Sequence, residues 1–281
     1  MSGSSDSEYR FVKQARPRLL RRAFTLIELV VVIVIVVVLM ALAVSGFGRV
    51  LNRGRAAACI GNLQEIGAGI GAYAADNDNL LPFGPQAAAF GMSGNLYTST
   101  GAPTSLITLT DGSNVGLGLT LPYLKQPKVF FCPGADQPVD VAAALVDVGK
   151  KQVQSCYYYR HAGNTAITDI GGKGVVPPRF GALGDDRLGQ PIRAIVMDTQ
   201  FLCVDGLRGF GVVPRTHHNK LVSNVLYTDG HVAEFRDLRG ALNVDITDGS
   251  NIYRSYDLIL RTFEAVDTGE LNVAAGNPTK K

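Results

Sequence analysis

The feature that most restricts this chain is an apolar run, residues 24–47, in which Thr25, Glu28 and Ser45 are the only polar or ionisable side chains. As a helix it spans roughly 36 Å, enough to cross a hydrocarbon core of about 30 Å with some tilt. Glu28 is the anomaly within it. An ionised side chain at bilayer depth costs about 2.5–3.5 kcal/mol on insertion scales, so one persists where a partner or a task keeps it. Glu28 also lies only roughly 6 Å from the start of the run, where a long side chain still reaches the headgroups. Two readings therefore stand side by side, a boundary residue and a functional carboxylate.

Charge gives the run a direction. Of 27 basic and 24 acidic residues, Arg10, Lys13, Arg16, Arg18, Arg21 and Arg22 stand against Asp6 and Glu8 in residues 1–23, leaving 21 basic and 22 acidic in the remainder. A basic leader before a membrane-length helix stays in the cytoplasm, and the chain beyond the helix is exported. The rival is a cleaved secretory signal with Ala41-Leu42-Ala43 as its small-residue site, although the apolar part of such signals is usually about 7–15 residues. The body, close to neutral, lacks the basic stripe of a nucleic-acid-binding surface.

Past the run, Gly46 and Gly48 predict a local loosening, because each costs a helix interior about 1 kcal/mol relative to alanine. Helical periodicity then resumes: Cys59, Leu63, Ile66, Ile70 and Tyr73 step by four, three, four and three, an apolar stripe with Asn62, Gln64 and Glu65 off it. One helix is expected from about 24 to 75, ended by the Asx- and Pro-rich "DNDNLLPFGP". Its first half suits lipid and its second half suits a globular domain.

Short β-branched and aromatic runs come next, at 127–134, 155–160, 193–206 and 223–237, separated by turn clusters. In the last, Asp229-Gly230 predicts a two-residue hairpin turn with both central residues at positive φ. Residues 84–120, rich in small residues, read as a surface excursion, and Tyr157, Tyr158 and Tyr159 as alternating core and surface positions of one strand. The predicted fold class is α+β, a long N-terminal helix packed on a C-terminal antiparallel sheet. Its parts are a leader (1–23), an apolar helix half (24–47), an amphipathic half (48–76), a β-rich domain (77–266) and a flexible tail (267–281).

The leader, then a small residue, then Phe-Thr-Leu-Ile-Glu, then the apolar helix, resembles the class III signal of type IV pilins and type II secretion pseudopilins. The resemblance implies that a prepilin peptidase cleaves between Ala23 and Phe24 and methylates the new amine, where the family usually has glycine in place of Ala23. It also implies that Glu28, then the fifth residue, pairs with the Phe24 ammonium during assembly with other pilin or pseudopilin subunits. The location implied is the inner membrane, N-terminus in the cytoplasm, with the domain periplasmic or in an extracellular filament. Residues 55–82, "FFCPGAD" and "HHNKLVSNVLYTDGHVAEF" resemble elements of the large planctomycete-type pilin-like proteins, including their His-x9-Asp-Gly motif. Here His218, Asp229 and Gly230 occupy that motif with ten intervening residues.

Other constellations point elsewhere. His217, His218, Asp229 and His231 suggest a divalent-metal set on a hairpin, and with it a membrane-anchored, metal-dependent hydrolase or binding domain. Neither HExxH nor GxSxG is present, and the chain is read as a structural protein, not an enzyme, with no cofactor required. Asp245, Asp248 and Asn251 surround a glycine as calcium ligands do, and an Asp-Gly turn alone explains them equally. Cys59, Cys132, Cys156 and Cys203 contain no CxxC spacing; three disulfide pairings and buried free thiols all remain open.

Overall fold

The computed structural model describes residues 25–85, 103–137, 139–162, 178–210, 213–237, 239–248 and 252–269, without the side chains of 42–47, 49, 208–210, 252 and 253. Ala23, Phe24 and Asn251 therefore lie outside the described residues, as do the leader and residues 270–281. The chain divides into two compact units between Gly48 and Arg49.

Helix α1 (Leu26–Asp76) begins in the first unit, and its backbone remains helical through Ser45-Gly46-Phe47-Gly48, where the glycines predict loosening. Two glycines at about 1 kcal/mol each do not outweigh a long cooperative run around them. In the first unit every large apolar side chain from Leu26 to Met40 is exposed, on all sides of the helix. A helix apolar all round suits a lipid or protein interior, not water. Among the described residues no helix is long and apolar enough to cross a membrane.

In the second unit the same helix is one-sided. Cys59, Leu63, Ile66 and Ile70 are completely buried, and Ala74 continues the buried face, whereas Tyr73, predicted on the stripe, is half-buried. Each fully buried Leu or Ile contributes about 1.5–3 kcal/mol relative to an exposed one. The helix stops where Asp78 and Asn79 turn to φ of 51° and 61°, the left-handed region that Asx residues tolerate best after glycine. The Asn77 side-chain amide donates to the Tyr73 carbonyl at 2.8 Å, satisfying a helix-end acceptor.

The core of the unit is a five-stranded antiparallel sheet of β1 (Thr104–Thr108), β2 (Val153–Tyr159), β3 (Ala194–Asp198), β5 (Val222–Tyr227) and β6 (Val232–Arg236), in the order β1-β2-β3-β5-β6. A parallel pair, β4 (Phe201–Cys203) with β7 (Val244–Ile246), lies outside it. Tyr157, Tyr159, Val196 and Leu226 pack with the α1 stripe, while Tyr158, Met197, Val225 and Tyr227 pack with a C-terminal helix, α3 (Ile252–Asp267). Both sheet faces are thus covered, and the three tyrosines alternate between two cores; none of them is a surface residue. One further short helix, α2 (Val141–Asp147), is capped by Asp140.

The α+β reading holds, with four local corrections. Residues 127–130 of the predicted strand "PKVFFCPG" form a 3-10 turn that starts on Pro127, a residue able to initiate a helix but unable to donate in a ladder. The excursion at 84–120 contains β1, all five residues of which are buried. The β5–β6 connection is a three-residue loop in which Gly230, at φ +86°, takes the left-handed position and Asp229 does not. Helix α3 was not anticipated, although Tyr256, Ile259, Leu260, Phe263 and Val266 have helical spacing and are all buried. Asp267, placed at the head of the tail, is its last residue, and its side chain is buried.

Candidate functional site

Two groups of residues carry chemistry. The first is the start of α1. Thr25 precedes the helix, and its backbone N–H and hydroxyl donate to Glu28 Oε2 at 2.8 and 2.7 Å, while the Glu28 N–H donates to Thr25 Oγ1 at 3.3 Å. This reciprocal Thr-x-x-Glu arrangement is a capping box, which satisfies backbone donors left free in the first turn. Sequence reasoning treated Glu28 only as a boundary or docking group and missed the capping pattern, although Thr25 and Glu28 stand three apart in plain view. Both residues are exposed, and among the described residues the capping bonds use one carboxylate oxygen, Oε2.

The second group lies inside the second unit. Cys59 of α1, Cys132 after the 3-10 turn, Asp198 at the end of β3 and His218 before β5 bring one ligand atom each to within 4.8 Å of one another. The Cys59 thiol donates to Asp198 Oδ1 at 3.1 Å, and Cys132 Sγ lies 3.4 Å from His218 Nε2. His218 Nε2 is 3.7 Å from Asp198 Oδ2. Around these four, the Asn224 backbone and side-chain N–H groups both donate to Asp198 Oδ2 at 2.9 Å, and the Gly134 N–H points at Cys132 Sγ at 3.3 Å. The neighbouring Cys59 thiol, together with His218, draws the Cys132 thiol down to about 6 against the effect of burial. Cys59 itself is pushed up by the neighbouring Cys132, by burial and by Asp198.

The backbone is shaped to hold His218. His218, Asn219 and Lys220 have φ of 52°, 56° and 59°, three consecutive non-glycine residues in the left-handed region. Each such residue costs about 1–2 kcal/mol, and segments like this persist only when their surroundings hold them. The His218 N–H donates to the Gly134 carbonyl at 2.8 Å and the Asn219 N–H to Asp136 Oδ1 at 2.8 Å. A Cβ on Gly134 would sit 2.3 Å from His218 Cε1, so only glycine leaves room for the ring.

The predicted set of His217, His218, Asp229 and His231 does not assemble. Tyr227 pairs with His231 at the turn end of the hairpin, while His218 lies before Val222 at the opposite end of β5. Asp229 and His231 contact each other on the exposed turn, with the His231 ring stacked on Tyr227. His217 is buried and its Nδ1 donates to the Thr199 carbonyl at 2.6 Å. Of the motif residues, Gly230 shapes the turn and His218 alone joins the cluster. Of the calcium candidates, Asp245 accepts from the Thr247 N–H and hydroxyl at 2.9 and 2.7 Å, and Asp248 pairs with Arg254 at 3.0 Å.

Asp198 was not anticipated, nor was the meeting of Cys59 with Cys132. The four ligands come from four distant segments, so no local spacing signals them. All four cysteines are buried, and no disulfide joins them.

Comparison with known proteins bears on the first group. No curated protein and no solved structure matches the chain. A family profile described as the prokaryotic N-terminal methylation motif matches residues 18–44, which contain Thr25, Glu28 and the start of α1. The chain thus carries a prepilin N-terminal methylation signal that runs into a long helix followed by an antiparallel sheet, consistent with a type IV pilin-like or pseudopilin protein.

Proposed function

We propose that this protein is a structural subunit of a type IV pilus-like or type II secretion pseudopilus filament. A prepilin peptidase removes residues 1–23 and methylates Phe24, the apolar half of α1 holds the subunit in the inner membrane, and assembly transfers that half from lipid to neighbouring helices. One observation carries this reading. The methylation motif coincides with a helix whose apolar side chains are exposed on every side, interrupted by a single carboxylate. Such a helix needs a low-polarity surrounding, and both lipid and a bundle of like helices supply one. The globular unit is displayed on the far side of the membrane.

Glu28 has two tasks in this scheme. It caps its own helix through Thr25, and its charge attracts the Phe24 ammonium of the same or a neighbouring subunit. Opposite charges about 4 Å apart at an effective dielectric near 20 attract by about 4 kcal/mol, comparable with the penalty of placing the carboxylate in lipid.

The test uses the mature N-terminus and two substitutions. Mass spectrometry is expected to find N-methylated Phe24; a retained leader, or a start beyond residue 47, refutes the reading. Glu28→Val removes cap and charge together, whereas Glu28→Gln keeps the capping box and removes only the charge. Both variants are expected to be cleaved and inserted but to leave filaments at least tenfold depleted. Normal assembly of Glu28→Gln refutes the charge-pairing role and leaves Glu28 as a helix cap.

A further inference from the structure

We propose that Cys59, Cys132, Asp198 and His218 bind a tetrahedral zinc ion that clamps the second half of α1 onto the sheet. The proposal stands on the geometry of these residues and is independent of the filament reading.

A zinc ion with bonds of about 2.0–2.3 Å to sulfur, nitrogen and oxygen requires ligand atoms about 3.3–3.8 Å apart. Here Cys59 Sγ lies 3.1 Å from Asp198 Oδ1, Cys132 Sγ 3.4 Å from His218 Nε2, and His218 Nε2 3.7 Å from Asp198 Oδ2. All four atoms lie within 4.8 Å of one another, which small side-chain rotations close onto a common centre. Two sulfurs, one imidazole and one carboxylate form a mixed, borderline-soft set that suits zinc and disfavours calcium or magnesium.

The surroundings match a metal site better than a hydrogen-bonded thiol pair. Asp198 is buried, and among the described residues no lysine or arginine donates to it; His218 Nε2 lies 3.7 Å from its Oδ2. A buried acid in that position requires a compensating charge, which a divalent ion provides. Supporting donors are already in place, with Asn224 fixing one carboxylate oxygen twice and Gly134 N–H directed at Cys132. Such outer contacts orient ligands and hold their basicity. The left-handed turn that hydrogen bonds to Gly134 and Asp136 hold in place aims the His218 ring at the other three ligands. His218 also lines an open groove of about 680 Å³ bordered by Arg53, Arg55, Asp136, Glu234 and Arg236, which gives the ion access from solvent.

Four protein ligands complete a tetrahedron, so the site is closed and structural, with no position left for a substrate. It joins α1, the segment after the 3-10 turn, β3 and the approach to β5, four parts of the unit separated in sequence.

The full chain, purified in mild detergent under reducing conditions without chelator, is expected to contain one zinc per chain. Cobalt exchanged into it is expected to show the intense visible bands of a tetrahedral site and a sulfur-to-cobalt charge-transfer band. A strong chelator is expected to lower Tm by about 5–10 °C, restored by zinc alone, as for an ion held at about a hundred times its Kd. Cys132→Ser and Asp198→Asn each reduce bound zinc at least tenfold and abolish the chelator effect, while Cys203→Ser, outside the cluster, changes neither. The cobalt spectrum of the unsubstituted protein keeps the test decisive if those variants misfold. A metal-free protein that shows no cobalt bands, a Cys59–Cys132 disulfide in non-reduced peptides, or undiminished zinc in both ligand variants each overturns the proposal.

Discussion

Replacing Asp267 with asparagine tests how the C-terminal helix is fastened to the sheet. The Asp267 Oδ2 atom accepts from Arg160 Nη1 at 2.7 Å, and Oδ1 accepts from the Arg193 and Ala194 N–H groups at 3.0 and 2.8 Å. The two charged side chains are 1% and 0% exposed. Burial pushes the Asp267 carboxyl up despite its three donors, and burial pulls the Arg160 guanidinium down despite Asp267. Each ion is therefore held at a net desolvation penalty and depends on the other. In Asp267→Asn the amide oxygen still receives the two backbone donors, but its NH₂ group faces the guanidinium, donor against donor. Breaking a buried pair from one side costs about 3–5 kcal/mol, which for a domain of this size lowers Tm by about 6–20 °C. Removing both charges with Arg160→Met/Asp267→Asn keeps the backbone acceptor and leaves no buried cation, so the double variant is expected to recover most of that loss. Thermal melts followed by near-ultraviolet circular dichroism measure the wild type, Asp267→Asn, Arg160→Met and the double variant. A loss below 1 kcal/mol in Asp267→Asn, or a double variant as unstable as the sum of its single substitutions, refutes the reasoning.

The packing and the ion pairs lead to two further outcomes. Leu63→Ala, at a completely buried position of the α1 stripe, is expected to cost about 2–5 kcal/mol by urea denaturation while leaving processing at Phe24 unchanged. Asp257, although partly desolvated, is held below the usual carboxylate range by hydrogen bonds from Arg187 and Arg261. A carboxyl with a depressed folded pKa contributes stability above its unfolded pKa of about 3.9 and loses it as pH falls through the lower folded value. The difference in urea midpoint between the wild type and Asp257→Asn is therefore expected to be present at pH 6 and to shrink below about pH 4.

What the residues disclose on their own depends on how local the cause is. The α1 stripe was legible because one helix face meets one core, so burial repeats at three and four residues. The β5–β6 hairpin was legible because a turn and its flanking strands are contiguous. Tyr157, Tyr158 and Tyr159 misled because alternation says only that neighbours face opposite ways, and α3 covers the face expected to be wet. The α3 pattern was itself readable from Tyr256 to Val266, and Asp267 then becomes a buried helix end instead of the start of a tail. Thr25 and Glu28 were legible as a capping box and were overshadowed by the membrane penalty. Cys59, Cys132, Asp198 and His218 were not legible as a group, since their proximity is created by the whole sheet and no segment holds two of them.

The same contrast separates two kinds of attachment within one helix. From Leu26 to Met40, α1 presents exposed apolar side chains on every side, which is what the proposed exchange of lipid for neighbouring helices requires. Beyond Arg49 the helix is committed: Leu63, Ile66 and Ile70 are inaccessible, and Cys59 sits in the polar cluster at the upstream end of that buried stretch. A force applied to the exchangeable half reaches the second unit through the α1 backbone, and the first buried side chain it meets on the stripe is Cys59. A metal–thiolate bond at that point resists peeling of the helix far better than another apolar contact, whose dispersion attraction decays within about 1 Å of separation. The proposed clamp is therefore placed where a subunit that is pulled by its N-terminal helix is most exposed to unravelling.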